Sequence, residues 1–246
     1  MAVAARTVVV AGAGGTAGRA VCAALTAAGA HVVAVGSRAE SLTDADGLGV
    51  DAAETAVVDL ADPVAVAAWA TELRTRRPSI DGVLHLVGGW RSGSAHDDWQ
   101  WLETRVLTTL RVISRELRDD LSASNAGRLA IVSSASVAEP KWGMANYVTL
   151  KAAAEAWVQA LASGWRTKGT PTAAVTFVAG SLDEPGAIDR LAAGCAGLWE
   201  VSHLELNGAL LDMDAPLDTD APLDTDVPLD VSAPLDVAEP QQEAAE

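Results

Sequence analysis

The sequence predicts an α/β fold in which helices cover both faces of a doubly wound parallel sheet of about seven strands. Short, continuous apolar runs alternate with helical stretches between Arg6 and Lys168, which is the pattern of repeated strand–helix–strand units. A glycine-rich turn joins the first apolar run to the first helical stretch. The length of 246 residues suits a single large domain of this class.

Each element is placed by its own pattern. Strands are expected where aliphatic and β-branched residues run continuously, at Thr7–Ala11, His31–Gly36, Thr55–Asp59, Gly82–Val87, Gly127–Ser133, Thr172–Val178 and Glu205–Asp212. Helices are expected where apolar residues recur at helical spacing, at Gly15–Ala28, Pro63–Arg76, Asp97–Leu121 and Met144–Lys168. In a sheet wound in this way, ligands bind at the carboxyl ends of the strands.

The net charge of −16 is concentrated at the C-terminal end. Residues 212–246 hold 11 acidic residues and no Lys or Arg, which leaves 17 basic and 22 acidic residues, a charge of −5, for the remainder. Nucleic-acid binding is not expected, because no basic face is available for phosphates. Residues 215–220 recur as residues 221–226, with proline at every sixth position. We therefore expect a domain over residues 1–213 and a disordered acidic tail over residues 214–246, or alternatively a tail that binds a partner.

The two cysteines give no sign of a metal site or a redox function. Cys22 and Cys195 lie among small or apolar residues and lack metal-ligand spacing, so we expect buried, reduced thiols. No apolar run approaches the roughly 20 residues needed to cross a bilayer. The N-terminus continues directly into the first strand, and a cytoplasmic protein is expected.

The glycine-rich turn indicates a dinucleotide site. A buried strand, a turn and the start of a helix follow one another from Val8 to Arg19. Glycines allow the backbone to approach a pyrophosphate, whose charge is met by the free N–H groups of the helix N-terminus. The candidate binding residues of the turn are Gly12, Gly14, Gly15, Thr16, Ala17 and Gly18.

The second and third strands carry the remaining nucleotide candidates. The second strand ends without the carboxylate that binds the ribose of NAD, and Ser37 and Arg38 stand there instead. A guanidinium suits a 2′-phosphate, so NADP is favoured over NAD, although Arg38 could also be a solvated loop residue. Asp59 and Leu60 follow the third strand and could touch the adenine ring, whereas Asp59 could equally cap the helix that begins at Pro63.

Tyr147, the only tyrosine, stands four residues before Lys151. That spacing places both side chains on one face of the predicted helix. A lysine ammonium beside a phenol favours the phenolate and lowers the phenol pKa toward the working range of a general acid or base. The pair could therefore transfer a proton.

Taken together, these motifs resemble the short-chain dehydrogenase/reductase family, with its Rossmann-type fold, from about Thr7 to Met213. The resemblance implies that Tyr147 and Lys151 act with Ser134, or alternatively Ser136, in hydride transfer between NADP and a ketone, aldehyde or alcohol. It also implies cofactor contacts from Val87, Gly88 and Gly89, where the family has Asn-Asn-Ala-Gly, and from Ala179 and Gly180, where it has Pro-Gly. A small-molecule substrate and a homodimer or homotetramer are expected on the same basis.

The chain departs from the family pattern in two places. The family's relay asparagine has no counterpart near Val106, and only 24 residues, Ser181 to Leu204, precede the last expected strand, so the substrate-covering lobe is short. The alternative function is therefore a nucleotide-binding protein with little or no turnover. His85 is expected to be a core histidine. Trp90 and Trp142 flank the expected cleft, where core packing is the default and stacking on a flat substrate the alternative.

Overall fold

The computed structural model describes residues 2–42 and 54–214. In it, seven parallel strands form one sheet in the order β3-β2-β1-β4-β5-β6-β7. The strands are β1 Thr7–Ala11, β2 His31–Gly36, β3 Glu54–Val57, β4 Gly82–His85, β5 Arg128–Ser134, β6 Ala173–Ala179 and β7 Leu210–Asp212. The chain reverses its direction of winding between β1 and β4, where a doubly wound sheet opens its ligand crevice. The predicted fold class is confirmed.

Eight α-helices flank the sheet in the described residues. They are α1 Thr16–Ala27, α2 Pro63–Arg76, α3 His96–Leu102, α4 Thr109–Glu116, α5 Arg118–Ala123, α6 Ala145–Lys168, α7 Ala187–Gly197 and α8 His203–Leu206. A π-helical turn, Glu103–Thr108, joins α3 to α4, and single 3-10 turns occupy Ala39–Leu42, Ala135–Val137 and Trp142–Met144. None of the helices is long and apolar enough to span a bilayer.

Each face of the sheet has its own hydrophobic core. One core packs α1 against α7 over side chains such as Val8, Val10 and Leu191. The other lies beneath α2, α4 and α6 and includes Leu129 and Trp165. Because both faces are covered, the strands are apolar along their whole length, as the sequence pattern indicated.

The structure corrects three expected elements. The strand expected over Glu205–Asp212 is wrong in its first half, since Ser202 caps the short helix α8 by accepting a hydrogen bond from the Leu204 N–H at 3.2 Å, and only the last three residues join the sheet. The single helix expected over Asp97–Leu121 is divided into α3, the π-helical turn, α4 and α5. Helix α7 was not expected. The predicted acidic tail lies, from residue 215 onward, outside the described residues.

Candidate active site

The glycine turn brings β1, α1 and the loop after β4 into close contact. Gly12 has a φ of +85°, and a Cβ there would lie 2.9 Å from the Leu86 carbonyl carbon. A Cβ on Gly18 would lie 2.2 Å from the Gly12 carbonyl oxygen. Since neither position admits a side chain, the backbone itself forms the wall of the crevice.

The first turn of α1 is suited to an anion. Its N-cap residue, Gly15, makes no side-chain cap, and no acidic residue lies in the first turn. The free N–H groups at this end therefore carry uncompensated positive partial charge. Because Gly15, Thr16 and Ala17 line the adjoining cavity, a phosphate group could bind there.

That cavity, of about 650 Å³, lies at the carboxyl ends of the strands. The structure gathers most of the predicted site residues around it: Gly12, Gly15, Thr16, Ala17, Gly18, Val87, Gly88, Gly89, Ser134, Tyr147, Lys151, Ala179 and Gly180. The glycine turn and the pair of Tyr147 and Lys151 are more than a hundred residues apart in the sequence. They come together only because of the way in which the sheet is wound.

Five predicted cofactor residues lie outside this cavity. Gly14 packs on Ser41, and Leu60 is buried in the core. Ser37 and Arg38 are exposed after β2, and the Arg38 side chain makes no hydrogen bond or ion pair with residues 2–42 or 54–214. Asp59 is also exposed.

The alternative role of Asp59 as a helix cap is wrong. Its carboxylate accepts a hydrogen bond from the Ala61 N–H at 2.9 Å. The cap of α2 is Asp62, whose carboxylate accepts from the Val64 N–H at 2.8 Å.

Strand β5 and helix α6 deliver the three candidate catalytic side chains. Ser134 is the last residue of β5, and its hydroxyl oxygen accepts a hydrogen bond from the Ser136 N–H at 3.3 Å. The Ser134 hydroxyl also makes a hydrogen bond with the Tyr147 phenol, which lines the same cavity. Tyr147 and Lys151 lie one turn apart on α6, with the Lys151 Nζ 5.7 Å from the centroid of the Tyr147 ring.

The expected lowering of the Tyr147 pKa is not found. Burial raises the pKa of the phenol above its usual value of 10.0, and a hydrogen bond with Ser134 opposes that rise only in part. The physical reason is that Lys151 is not directed at the phenol oxygen. Its ammonium donates instead to the Val132 carbonyl at 2.7 Å. Tyr147 is accordingly a protonated phenol at neutral pH.

Lys151 is itself strongly perturbed. Its side chain is almost fully buried, and burial lowers its pKa from 10.5 to about 8, while the negative charge of Glu155 acts in the opposite direction. Glu155 lies one turn further along α6 and accepts a hydrogen bond from the Ser133 hydroxyl. Sequence reasoning missed Glu155, although its spacing of four from Lys151 was a usable signal.

His85 behaves as the expected core histidine. It is 3% exposed, and burial, followed by the charge of Lys151, lowers its pKa to about 3. Its Nε2 lies 2.8 Å from the Thr109 hydroxyl, which donates at 2.7 Å to the Arg105 carbonyl. The hydroxyl must therefore accept from Nε2–H. A neutral histidine fixed in this way supports the cavity wall and is not a general base.

The tryptophans of α6 and those near the cavity differ in exposure. Trp165 is buried, and the indole N–H of Trp157 donates to the Ser114 hydroxyl at 2.9 Å. Trp90 and Trp142, in contrast, are 61% and 82% exposed. Core packing, the default for those two, is wrong. Trp90 and Met144 line the cavity next to the catalytic candidates.

Both cysteines are buried and carry free thiols, with pKa values raised by burial. Among residues 2–42 and 54–214, no group of His, Cys, Asp and Glu side chains is arranged to hold a metal ion.

Comparison with known proteins agrees with this geometry. A family model described as short chain dehydrogenase matches residues 6–189. No curated protein matches the chain in sequence. Among solved structures, the chain is similar to gluconate 5-dehydrogenase from Burkholderia cenocepacia J2315 in complex with NADP and tartrate, with a TM-score of 0.73, 20% identity, and coverage of 85% of this chain and 93% of that one. It is also similar to levodione reductase, with a TM-score of 0.73, 17% identity, and coverage of 84% and 95%. At these identities the structural likeness supports the fold alone.

Proposed function

This chain belongs to the short-chain dehydrogenase/reductase family of oxidoreductases, and we propose that it interconverts a ketone or aldehyde and an alcohol, with NADP as its preferred cofactor and Tyr147 as the acid and base. One observation carries the proposal. Ser134, Tyr147 and Lys151 line the same cavity as the glycine turn and the open N-terminus of α1.

The residues at the turn fit a dinucleotide. Gly12 and Gly18 leave no room for a Cβ, so the backbone could approach a pyrophosphate closely. The uncapped first turn of α1 offers N–H donors to the negative charge. When bound, the reduced nicotinamide supplies the hydride that is added to the carbonyl carbon.

The chain supplies the proton and the hydrogen bonds. Because burial keeps the Tyr147 phenol protonated, it can donate its proton to the substrate oxygen as negative charge develops there. Ser134 donates a second hydrogen bond to the same oxygen and so stabilises the developing alkoxide. In the direction of oxidation, the same phenol oxygen must first lose its proton to act as the base.

Lys151 is proposed to stabilise the phenolate form of Tyr147 electrostatically. Its ammonium lies 5.7 Å from the centroid of the ring and donates to the Val132 carbonyl. By turning from that carbonyl toward the phenol oxygen, it would favour the phenolate left after proton donation. The family resemblance adds a contact from Lys151 to the nicotinamide ribose. A pKa near 8 allows the lysine to gain and lose a proton within the working range.

The preference for NADP rests on the end of β2. No carboxylate stands there, and the exposed guanidinium of Arg38 has no side-chain partner among the described residues. A guanidinium binds a 2′-phosphate through paired, charge-assisted hydrogen bonds. We also propose that the protein acts on small molecules as a cytoplasmic homodimer or homotetramer, in keeping with other family members.

A comparison of wild type with Tyr147→Phe tests the proposed chemistry. NADPH binding is measured by fluorescence titration, and reduction is followed over a panel of ketones and aldehydes. We expect both proteins to bind NADPH and only the wild type to reduce a carbonyl, with a loss of at least about 100-fold in the variant. Binding without reduction by the wild type, over the whole panel, would instead identify a nucleotide-binding protein without turnover, the alternative that the missing relay asparagine motivates.

A further inference from the structure

Two exposed tryptophans stand beside the catalytic candidates. All eight tryptophans lie in the described residues; Trp69, Trp165 and Trp199 are buried, Trp99, Trp101 and Trp157 are partly buried, and only Trp90 and Trp142 are exposed. An indole is among the most costly side chains to leave in water. Two of them on loops that border one cavity therefore require an explanation that random surface placement does not give.

The loops that carry these two side chains are joined to each other. Trp90 lies in the loop after β4 and lines the cavity. Trp142 opens the 3-10 turn before α6, two residues before Met144, which lines the same cavity. The Gly93 N–H donates to the Gly143 carbonyl at 2.7 Å, so the two loops are held as one unit at the entrance.

The loop that carries Trp90 also makes close contacts with the rest of the domain. A Cβ on Gly89 would lie 2.4 Å from the ring of Trp101, which shows how closely the backbone rests on that ring. The Arg91 guanidinium stacks 4.1 Å from the centroid of the same ring and pairs with Asp98 at 3.1 Å. The positive charge of Arg91, the residue after Trp90, is therefore paired with Asp98. The indole of Trp90 presents an apolar surface to the cavity.

From this arrangement, we propose that Trp90 and Trp142 form an aromatic clamp that selects planar, ring-bearing carbonyl compounds as substrates. The proposal rests on the proposed function, because it names the substrate class of the same site. A flat ring bound between or against indole faces gains stacking that a saturated ring of the same size cannot reproduce.

Acetophenone and cyclohexyl methyl ketone form the matched pair of substrates for the test, since they differ in the planarity of the ring and little in size. The measured quantity is the ratio of their kcat/KM values in the wild type and in Trp90→Leu, Trp142→Leu and the double variant. Comparing each variant with wild type cancels the intrinsic reactivity of the two ketones. We expect the ratio to fall by about 2- to 10-fold for each substitution, as loss of an aromatic contact predicts.

Leu204→Ala, which alters an equally exposed apolar residue outside the cavity, is the matched control and should leave the ratio unchanged. Trp142→Phe should retain part of the preference. Urea unfolding of each variant checks that the fold is intact. If the double variant is folded and its ratio equals that of wild type, the clamp is wrong while the proposed function stands.

A binding measurement separates this proposal from the proposed function. In the presence of NADPH, the affinities of 1-phenylethanol and 1-cyclohexylethanol are measured by calorimetry, which requires no turnover. A preference for the phenyl compound that disappears in the double variant would support the clamp even if no ketone were reduced. Equal affinities for the two alcohols would overturn it.

Discussion

The ammonium nitrogen of Lys151 lies 5.7 Å from the centroid of the Tyr147 ring and donates its hydrogen bond to the Val132 carbonyl, not to the phenol. Burial consequently dominates both side chains and moves both toward their neutral forms, with the phenol pKa raised and the lysine pKa lowered to about 8. The Tyr147 phenol is therefore protonated at neutral pH, as the proposed donation of a proton to a carbonyl oxygen requires.

The ionisation of Tyr147 can be observed directly, because it is the only tyrosine in the chain. We expect its tyrosinate absorbance to appear with a midpoint above 10.0, the usual pKa. In Ser134→Ala the midpoint should move higher still, since the hydrogen bond with Ser134 lowers the phenol pKa. Tyr147→Phe provides the baseline. A wild-type midpoint below the usual value would contradict the dominance of burial.

Burial of the Lys151 ammonium predicts how stability depends on pH. Its pKa is about 8 in the folded protein against 10.5 for the free side chain, so the unfolded chain binds more protons between these values. The contribution of Lys151 to the free energy of unfolding should therefore rise with pH from about 8 to 10.5, by on the order of 3 kcal/mol, with the full cost of burial present below pH 8. The buried thiols of Cys22 and Cys195, whose pKa values are raised from 9.0, act in the opposite direction above about pH 9, so the Lys151 contribution is the difference between wild type and Lys151→Met.

Urea unfolding of wild type and Lys151→Met over this range measures that rise. The variant should lack the rise and be more stable than wild type at pH 7, because it buries no charge. Lys168→Met, which changes an exposed lysine at the end of the same helix, should keep the wild-type profile. A difference in stability between wild type and Lys151→Met that does not change with pH would show that Lys151 is not perturbed by burial.

Arg38 is expected to determine cofactor preference. In Arg38→Ala the ratio of kcat/KM for NADPH to that for NADH should fall by about 10- to 100-fold, the contribution of hydrogen bonds to a charged phosphate. Arg115→Ala, at another exposed arginine, should not change the ratio. Steady-state kinetics with both cofactors supplies the measurement. An unchanged ratio in Arg38→Ala would mean that Arg38 is a solvated loop residue.

The two helical glycines Gly18 and Gly164 should respond in opposite ways to alanine. A Cβ on Gly18 would lie 2.2 Å from the Gly12 carbonyl, whereas nothing lies within 4 Å of a Cβ on Gly164. We expect Gly18→Ala to lower stability and NADPH affinity, and Gly164→Ala to raise stability by about 0.5–1 kcal/mol. Urea unfolding and cofactor titration distinguish them. A Gly18→Ala protein that binds NADPH like wild type would contradict the close approach at the turn.

The strands and helices that could be predicted are those whose residues repeat a local pattern. Strands such as β1 and β2 begin and end at the predicted residues, because each is a continuous apolar run buried on both faces. The strand expected over Glu205–Asp212 is wrong in its first half, because the alternation Leu-Glu-Leu also fits a turn of helix and the Ser202 side chain caps that helix. The sequence pattern did not predict the π-helical turn, which contacts α6 and buries Val106.

The sequence by itself determined the glycine turn, the spacing of Tyr147 and Lys151 and the positions of most strands, because backbone freedom, helical spacing and apolar runs are properties of neighbouring residues. The tertiary structure alone decided that Lys151 binds Val132, that Glu155 meets Ser133, and that Trp90 and Trp142 remain exposed. Burial and charge separation depend on which distant segments are packed together. For that reason the sequence named the candidate proton-carrying residues, and the direction of their pKa shifts followed only from the fold.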